Sequence, residues 1–287
     1  MQTILSVAID ALAYGMILFL ISIGLSVTMG LMRVVNLAHG AFAMIGGYFA
    51  SYAMSALGLG YGLAIVLAVT ATVIIALPLE RFLYRRIYGA PELTQVLMTI
   101  GVTFCIIGIT NYLFGPTLKT VPLPPDLAGS TDLGFRTISN HRLFAIACGL
   151  MVAAGLWLLF SRTGFGIKLR AVVDNAAMAA SLGVRTQWVY AAAFAISVAL
   201  AALGGVIGAE LLPIEPYYAL RYMVTFLVVV SVGGAGSIPG ALLACLLLGA
   251  IETAGRYLAP EYGEFFFYLA VIAIVSIFPR GLLGRAN

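Results

Sequence analysis

Between Arg33 and Glu80 the chain reads VVNLAHGAFAMIGGYFASYAMSALGLGYGLAIVLAVTATVIIALPL, forty-six residues without a charged side chain. A helix that crosses the hydrocarbon core of a bilayer needs about twenty predominantly apolar residues. The stretch is therefore long enough for two crossings joined by a turn, and it predicts that the chain is a membrane protein.

The composition of the whole chain supports this prediction. Of its 287 residues, 62% are hydrophobic and 9% are charged, and the mean hydropathy is +1.09, whereas typical soluble proteins carry about 25% charged residues. The apolar runs are continuous, which disfavours an outer-membrane β-barrel, because barrel strands alternate polar and apolar positions. We therefore expect an all-α polytopic membrane protein that forms a single domain over residues 1–287.

Windows that lack charge place nine candidate spans, and we expect about 8–10 transmembrane helices. The windows are 11–32, 36–55, 62–79, 93–114, 143–160, 188–209, 222–236, 239–256 and 262–279. Between the seventh and eighth windows the sequence contains a predicted helix break that could serve as a gate, at Gly233, Gly234, Gly236 and Ser237. Glycine and the following proline interrupt helices, and such a break survives at membrane depth only where protein or a water-filled cavity covers it.

The distribution of basic residues orients the chain, because cytoplasmic loops carry an excess of Lys and Arg. If the connections 80–92 and 161–187 face the cytoplasm, ten basic residues lie on that side: Arg33, Arg81, Arg85, Arg86, Arg162, Lys168, Arg170, Arg185, Arg280 and Arg285. Five basic and eight acidic residues then lie on the other side. This orientation predicts a cytoplasmic C-terminus and a proline-rich external loop over 115–141.

The cytoplasmic connection 161–187 carries a second signal. From Lys168 to Gly183 it is rich in Ala, Leu and Met, which form helices readily, and Gly183 suits the position just past a helix end. A short helix with small residues on one side is typical of a docking element. A helix that only lies on the lipid surface is the alternative.

Residues for catalysis, nucleotide binding or metal binding are hard to find in this sequence. Lys119 and Lys168 are the only lysines, and neither follows the glycine that a phosphate-binding loop requires. His39 and His141 are the only histidines and lie far apart. The three cysteines fall in separate apolar runs, at Cys105, Cys148 and Cys245. We expect no enzyme activity, no cofactor, no metal site and no disulfide.

A stripe of polar residues follows one face of the fourth candidate span. Gln95, Thr99 and Thr103 lie there at helical spacing, and with Asn36 and His39 they are candidates to line a translocation path. Structural roles compete with this interpretation. Threonine often bonds to its own helix or bridges two helices, Asn36 can cap a helix that starts at Leu37, and His39 can be a packing residue.

The acidic residues lie mainly near span ends rather than in mid-span. Glu252 can pair with Arg256 one helical turn later, which is not the buried carboxylate that a proton-driven or sodium-driven carrier usually has. This placement disfavours secondary transport.

Four segments of the chain resemble one known family. RVVNLAHGAFAMIGGY over 33–48 is similar to the first signature of bacterial branched-chain amino acid ABC permeases of the LivH type. The resemblance continues at 164–166 and 170–184, recurs at 232–240, and ends at 278–282. It covers nearly the whole chain in the right order.

The resemblance implies a type II ABC importer permease in the bacterial inner membrane. It implies a second permease subunit of the LivM type, two ABC ATPase subunits, a periplasmic substrate-binding protein, the lipid bilayer as surroundings and no nucleic acid partner. The family's ATPase-coupling segment maps onto Asp174, Asn175, Ala176, Met178, Ala179, Leu182 and Gly183. The implied substrates are branched-chain, hydrophobic amino acids.

Two alternatives remain at this point. Urea and short-chain amide importers share the same motifs, so a substrate of that class is open. A channel or carrier that works without ATP is the second alternative, and it would need no ATPase subunits.

Overall fold

A computed structural model of the chain describes residues 2–132 and 137–283. Parts of two predictions, the tip of the loop 115–141 and Arg285 among the ten basic residues, lie outside the described residues. Thirteen helices occur in the described part, and two short strands pair within the loop. In chain order the elements are α1 Gln2–Ser26, α2 His39–Ser55, α3 Tyr61–Leu79, α4 Arg85–Ile87, α5 Glu92–Phe114, α6 Pro125–Ala128, β1 Ser130–Asp132, β2 Thr137–Ser139, α7 Asn140–Arg162, α8 Gly164–Asp174, α9 Ala176–Ser181, α10 Thr186–Gly208, α11 Tyr218–Gly233, α12 Ile238–Leu258 and α13 Gly263–Ile277.

Nine of these helices coincide with the nine charge-free windows, which confirms the all-α membrane class. Within the described residues six stretches are long and apolar enough to cross a membrane, namely Leu5–Gly30, Tyr61–Ile87, Glu92–Phe114, Asn140–Arg162, Thr186–Gly208 and Ile238–Leu258. The other three, α2, α11 and α13, have 17, 16 and 15 residues. At a rise of about 1.5 Å per residue they are shorter than the hydrocarbon core, so their crossing stays a prediction.

The first predicted window began too late. It opened at residue 11 because Asp10 was taken as a boundary, whereas α1 already begins at Gln2. Asp10 forms an ion pair with Arg142 at the start of α7, so its charge is compensated between two helices. A paired carboxylate does not end a helix, which explains the error.

The core lies around α2, which packs against α1, α3, α10 and α11. Small residues allow these helices to approach closely. A Cβ atom on Gly46 of α2 would lie 2.6 Å from the Cα of Ala202 in α10, and one on Gly205 would lie 2.0 Å from the carbonyl oxygen of Ala43. Such backbone-to-backbone packing replaces the hydrophobic driving force that helices lack in lipid.

The connections gather at two opposite ends of the helix bundle. We call the end with the connections 80–91, 163–185 and 234–237 the basic end. There Arg85 Nη1 donates to Gln187 Oε1 over 3.2 Å, and the amide of Leu282 donates to the carbonyl of Val232 over 2.7 Å.

We call the end with the connections 115–139, 209–217 and 259–262 the acidic end. There the amide of Lys119 donates to the carbonyl of Ile214 over 2.8 Å, and Ser51 Oγ donates to the carbonyl of Thr120 over 2.8 Å. The structure thus groups the connections as the charge count grouped them, while the assignment of the basic end to the cytoplasm stays a prediction.

Candidate functional site

A buried segment without helical structure separates α1 from α2 at the basic end. We call this segment, residues 32–38, the first break. α1 first widens into one π turn over Val27–Leu31, and Arg33 then takes a left-handed backbone conformation with φ of +54°. Asn36 and Ala38 are fully buried. Because water does not reach the backbone around these two residues, its N–H and C=O groups need partners from the protein.

Side chains of α5 supply those partners. Gln95 Oε1 accepts from the amide of Val35 over 2.8 Å, and Thr99 Oγ1 accepts from the amide of Leu37 over 3.2 Å. Gln95 Nε2 donates to the carbonyl of Ala90 over 3.1 Å and thereby also fixes the connection that precedes α5. Thr103 Oγ1 donates within its own helix, to the carbonyl of Thr99 over 2.9 Å.

Asn36 and His39 occupy the start of α2. Asn36 Oδ1 accepts from the Tyr84 hydroxyl over 2.8 Å and from the amide of Ala38 over 3.2 Å. His39 Nε2 lies 2.7 Å from the carbonyl oxygen of Ile21. The predicted cap is therefore slightly misplaced: Asn36 forms a turn with Ala38, and the helix starts at His39 instead of Leu37.

Each of these two side chains keeps one buried nitrogen without a hydrogen-bond partner in the described part of the chain, Asn36 Nδ2 and His39 Nδ1. Both residues line a crevice of about 10 Å³ that is also lined by Met223 and Leu227 of α11. A space of this size is about that of one water molecule. Among the five candidate path residues, these two therefore retain unused polar atoms, while Gln95, Thr99 and Thr103 bond to backbone.

The second break, residues 234–237, separates α11 from α12. Gly234 and Gly236 have φ of +88° and +81°, a conformation that side chains disfavour. Ser237 Oγ accepts from the amide of Gly240 over 3.1 Å and caps α12. A Cβ atom on Gly233 would lie 2.8 Å from the backbone of Ala241. The structure interrupts the helix at 234–237, and Gly233 is the last residue of α11. The role of Gly233, Gly234, Gly236 and Ser237 as a gate stays a prediction.

The second break lies against the end of α1 and the π turn that leads into the first break. Ser26 Oγ, in the last turn of α1, accepts from the amide of Gly236 over 3.2 Å, and a Cβ atom on Gly30 would lie 1.8 Å from the nitrogen of Gly236. Beside this contact is a cavity of about 330 Å³, lined among others by Gly30, Gly236, Arg170 and Leu283. The second break is thus in direct contact with the segment that precedes the first break.

The predicted docking helix of the basic end is in fact two helices, α8 and α9. Asn175 separates them in an extended conformation, and its side chain accepts from the amide of Met178 over 2.9 Å. The expectation of one helix from Lys168 to Gly183 was wrong because Asn can bond to nearby backbone and start a new helix. The end was predicted correctly: Gly183 follows the last turn with φ of +82°.

Most of the predicted coupling residues form one exposed surface. Met178 and Leu182 are 63% and 78% exposed, and around them lie exposed Asp174, Asn175, Ala176 and Gly183. Ala179 is the exception. It is 4% exposed and packs inward, so it can anchor α9 to the bundle but cannot contact a partner.

Two important residues of the breaks were not found from the sequence. Tyr84, in the π turn that follows α3, donates a hydrogen bond to Asn36. Gly30 packs directly against the backbone of the second break. A tyrosine near basic residues and one glycine among 32 carry no local signal for these contacts, since each partner is distant in sequence.

Metal-binding and redox features are sparse in the described residues. No group of three or more His, Cys, Asp or Glu side chains is close enough there to hold a metal ion. Cys105, Cys148 and Cys245 carry free thiols.

Comparison with known proteins gives a consistent result. Residues 7–275 match the family described as branched-chain amino acid transport system / permease component. The chain is 28% identical to the high-affinity branched-chain amino acid transport system permease protein BraD of Pseudomonas aeruginosa, over 96% of this chain and 94% of that protein. It is 29% identical to the permease protein LivH of the corresponding system of Escherichia coli K12, over 93% and 91%.

A more distant similarity covers less of the chain. The autoinducer 2 import system permease protein LsrC of Salmonella paratyphi B is 31% identical over 46% of this chain and 39% of that protein. No solved structure matches the chain.

Proposed function

Since the chain belongs to the branched-chain amino acid ABC permease family, whose members are type II ABC importer permeases, we propose that it carries branched-chain amino acids across a bacterial inner membrane. It is a multi-pass membrane protein and a permease component, and it is not itself an enzyme. The observation that supports the proposed substrate is the similarity to BraD and LivH over more than nine-tenths of the chain.

The direct test is uptake of labelled leucine, isoleucine and valine in cells that lack this chain, alongside urea as the alternative substrate class. Loss of leucine uptake that the gene restores supports the proposal. Loss of urea uptake alone would keep the permease and replace its substrate.

The proposed complex contains a second, LivM-type permease subunit, two ABC ATPase subunits and a periplasmic substrate-binding protein. In this arrangement the basic end faces the cytoplasm, a cytoplasmic C-terminus is expected as well, and the acidic end receives the binding protein. The charge distribution supports this orientation through the positive-inside rule.

Coupling to the ATPase subunits is assigned to the exposed surface of α8 and α9 around Met178 and Leu182. Met178 lies on the short helix α9 and Leu182 directly follows it. Two large apolar side chains exposed at the polar end of a membrane protein are typical of a surface that packs into the groove of a soluble partner. α8 packs against α7 and α10, and α9 packs against α10. A displacement of this surface by a partner would therefore be transmitted to two long helices.

A double substitution tests this assignment. M178D with L182D should abolish copurification of the ATPase subunits and reduce uptake at least about tenfold, because it places two charges in an apolar contact. The matched control is L118D, since Leu118 is also a half-exposed leucine, 52% exposed, but lies at the acidic end. Wild-type copurification with the double variant would contradict the assignment.

The translocation path is proposed to run along the crevice between α2 and α11. When α11 moves away from α2, Asn36 Nδ2 and His39 Nδ1 become available to a polar solute, which their unpartnered state supports. Gln95, Thr99 and Thr103 contribute indirectly by fixing the first break. The second break is the proposed hinge of α11, because φ values near +80° place glycine where the chain turns.

A reversible cross-link tests the movement of α11. Leu37 and Met223 line the same crevice from different parts of the chain, so L37C with M223C in a chain without other cysteines should form a disulfide that blocks uptake. A reductant should restore uptake, and each single variant should transport under both conditions. Full uptake by the oxidised double variant would exclude the proposed movement.

A further inference from the structure

A cavity of about 440 Å³ opens at the acidic end between α1, α11, α12 and α13. Its size falls within the range of about 300–1,000 Å³ that small-molecule sites occupy. One part of the wall is charged or hydroxylated, and the other part is apolar. The apolar part includes Leu211, Leu212 and Phe267.

The charged part of the wall is centred on Glu252 and Arg256. Arg256 Nη2 donates to Glu252 Oε1 over 2.6 Å, and the Tyr14 hydroxyl also bonds to Glu252. The Glu252 side chain is 7% exposed, whereas that of Arg256 is 57% exposed. Arg221, Tyr222 and Thr225 line the same cavity from α11.

This pair differs from an ordinary surface ion pair on a helix. A surface pair at this spacing stabilises by about 0.2–0.5 kcal/mol, whereas withdrawing a carboxylate from water is costly even when it is paired. Stability alone is therefore a weak reason to bury Glu252. A buried acid whose basic partner stays exposed beside a cavity is instead a typical arrangement for recognising a ligand.

A second cavity of about 210 Å³ meets the first at this pair. Tyr14, Leu211, Glu252 and Arg256 line both cavities, and the second extends to the ion pair of Asp10 with Arg142. The Glu252–Arg256 pair thus lies at the junction of two openings, where an entering molecule would meet both charges.

We propose that the 440 Å³ cavity is a binding site for a zwitterionic α-amino acid, held by its ammonium at Glu252 and by its carboxylate at Arg256. The apolar wall contacts the hydrocarbon side chain of the ligand. The inference rests on the proposed function and deepens it, since it places a substrate-recognising site in the permease itself.

Charge balance supports this class of ligand. Glu252 and Arg256 together are neutral, and Arg221 of the same cavity is paired with Glu215 over 2.8 Å. A zwitterion is also neutral, so the ligand forms two ionic contacts without leaving an uncompensated charge. Urea and short-chain amides carry no charge, so they would form only bonds with one ionised partner at this pair and would gain less from it than a zwitterion. A phospholipid headgroup with an ammonium and a phosphate shares the ionic chemistry, but it lacks the compact apolar side chain that the wall can bury.

The test uses the complete transporter in lipid nanodiscs, without binding protein and without ATP, and measures equilibrium binding of labelled leucine. E252Q and R256Q should each weaken saturable binding about tenfold or more, because each removes one charge-assisted contact. The matched control is E210Q, since Glu210 also forms an ion pair at the acidic end, with His141, but lines neither cavity. Competition with 4-methylpentanoate, which is leucine without its amino group, should be weak in the wild type.

The outcomes separate this inference from the proposed function. ATP-driven leucine uptake is measured in the same particles after addition of loaded binding protein. Uptake without saturable binding, or binding unchanged in both variants, would overturn the site and leave the importer intact. Displacement of bound leucine by phosphoethanolamine but not by isoleucine would assign the cavity to a lipid headgroup and also overturn the proposal. Absence of leucine uptake in the wild type would instead overturn the proposed function.

Discussion

The first break, residues 32–38, and the second break, residues 234–237, interrupt neighbouring helices at the same end of the molecule, yet they are stabilised by different means. The first is bound by side chains of α5, chiefly Gln95 and Thr99. The second contains two glycines among its four residues and lies directly on the backbone of the π turn at Gly30.

The two breaks therefore tolerate different kinds of substitution. The first depends on hydrogen-bonding groups that a distant helix supplies, so it is sensitive to loss of polar atoms. The second depends on the absence of side chains, so it is sensitive to any added atom. Two sets of substitutions can therefore separate the breaks experimentally.

The largest effect is expected where the second break meets α1. G30A adds a Cβ atom 1.8 Å from the nitrogen of Gly236, and relief of that overlap requires the two backbones to separate. We expect destabilisation of about 3 kcal/mol or more, seen as loss of monodisperse protein in size-exclusion chromatography. The control is G155A, because Gly155 of α7 has open space at the Cβ position. Equal yields of the two variants would show that the second break does not need this contact.

A somewhat smaller effect is expected at the first break. Q95L keeps the approximate volume but removes the acceptor of the Val35 amide and the donor to the carbonyls of Ile87 and Ala90. Each buried unpaired group costs about 1–3 kcal/mol, so we expect about 2 kcal/mol or more, measured as a lower unfolding temperature in detergent. An unchanged unfolding temperature would mean that the first break finds other partners.

A matched pair of threonines sharpens the comparison further. T99V leaves the Leu37 amide without its acceptor and should cost about 1 kcal/mol. T103V removes a bond within the same helix, to the carbonyl of Thr99, and a long contact of 3.5 Å with the carbonyl of Leu37. It leaves the Leu37 amide with its acceptor, so it should be less destabilising than T99V. The difference between the two unfolding temperatures isolates the contribution of the first break. If T103V were as destabilising as T99V, threonine would stabilise α5 rather than the break.

The smallest effect is expected at the acidic end, where an ion pair fixes the connection 209–217. The hydrogen bond from His141, aided by the charges of His141 and Arg142, lowers the pKa of Glu210 below its ordinary value of 4.5 despite partial burial. A carboxyl group whose pKa is lower in the folded state than in the unfolded state stabilises the fold at pH values above its unfolded-state pKa. This stabilisation is lost as the pH falls through the folded-state pKa.

The corresponding measurement follows the unfolding temperature of wild type and E210Q from pH 7 to about pH 3. The wild type should be slightly more stable at neutral pH, and the difference should disappear at the acidic limit. The Glu210 side chain is 33% exposed, so solvent screening keeps the effect small. Parallel curves would contradict a contribution from Glu210.

Much of the fold could be predicted because charge and glycine mark helix ends strongly in a membrane protein. All nine windows contain helices, and the second break was visible as a glycine-rich segment before Pro239. The failures arose where a polar residue has a local or distant partner. Asp10 pairs with Arg142 inside the helical region, and Asn175 bonds to its own backbone and divides the docking helix.

The candidate site was harder to predict, because its contacts join residues far apart in sequence. The stripe of Gln95 and Thr99 was recognised, but the backbone that it binds lies about sixty residues earlier. Periodicity places a side chain on a face of a helix, and it says nothing about what covers that face. The pairing of Glu252 with Arg256 was likewise expected from their spacing. The cavity beside the pair was not expected, because other helices form it.

The close contact of α2 with α10 also has a consequence for biogenesis. Gly205 allows α10 to pack closely against Ala43 of α2. It is synthesised roughly 160 residues after Gly46, which is a delay on the order of 10 s at usual synthesis rates. During that time the short, glycine-lined α2 has been inserted without its principal neighbour. The nascent chain must therefore hold α2 beside α1 and α3, or beside the insertion machinery, until the C-terminal half arrives.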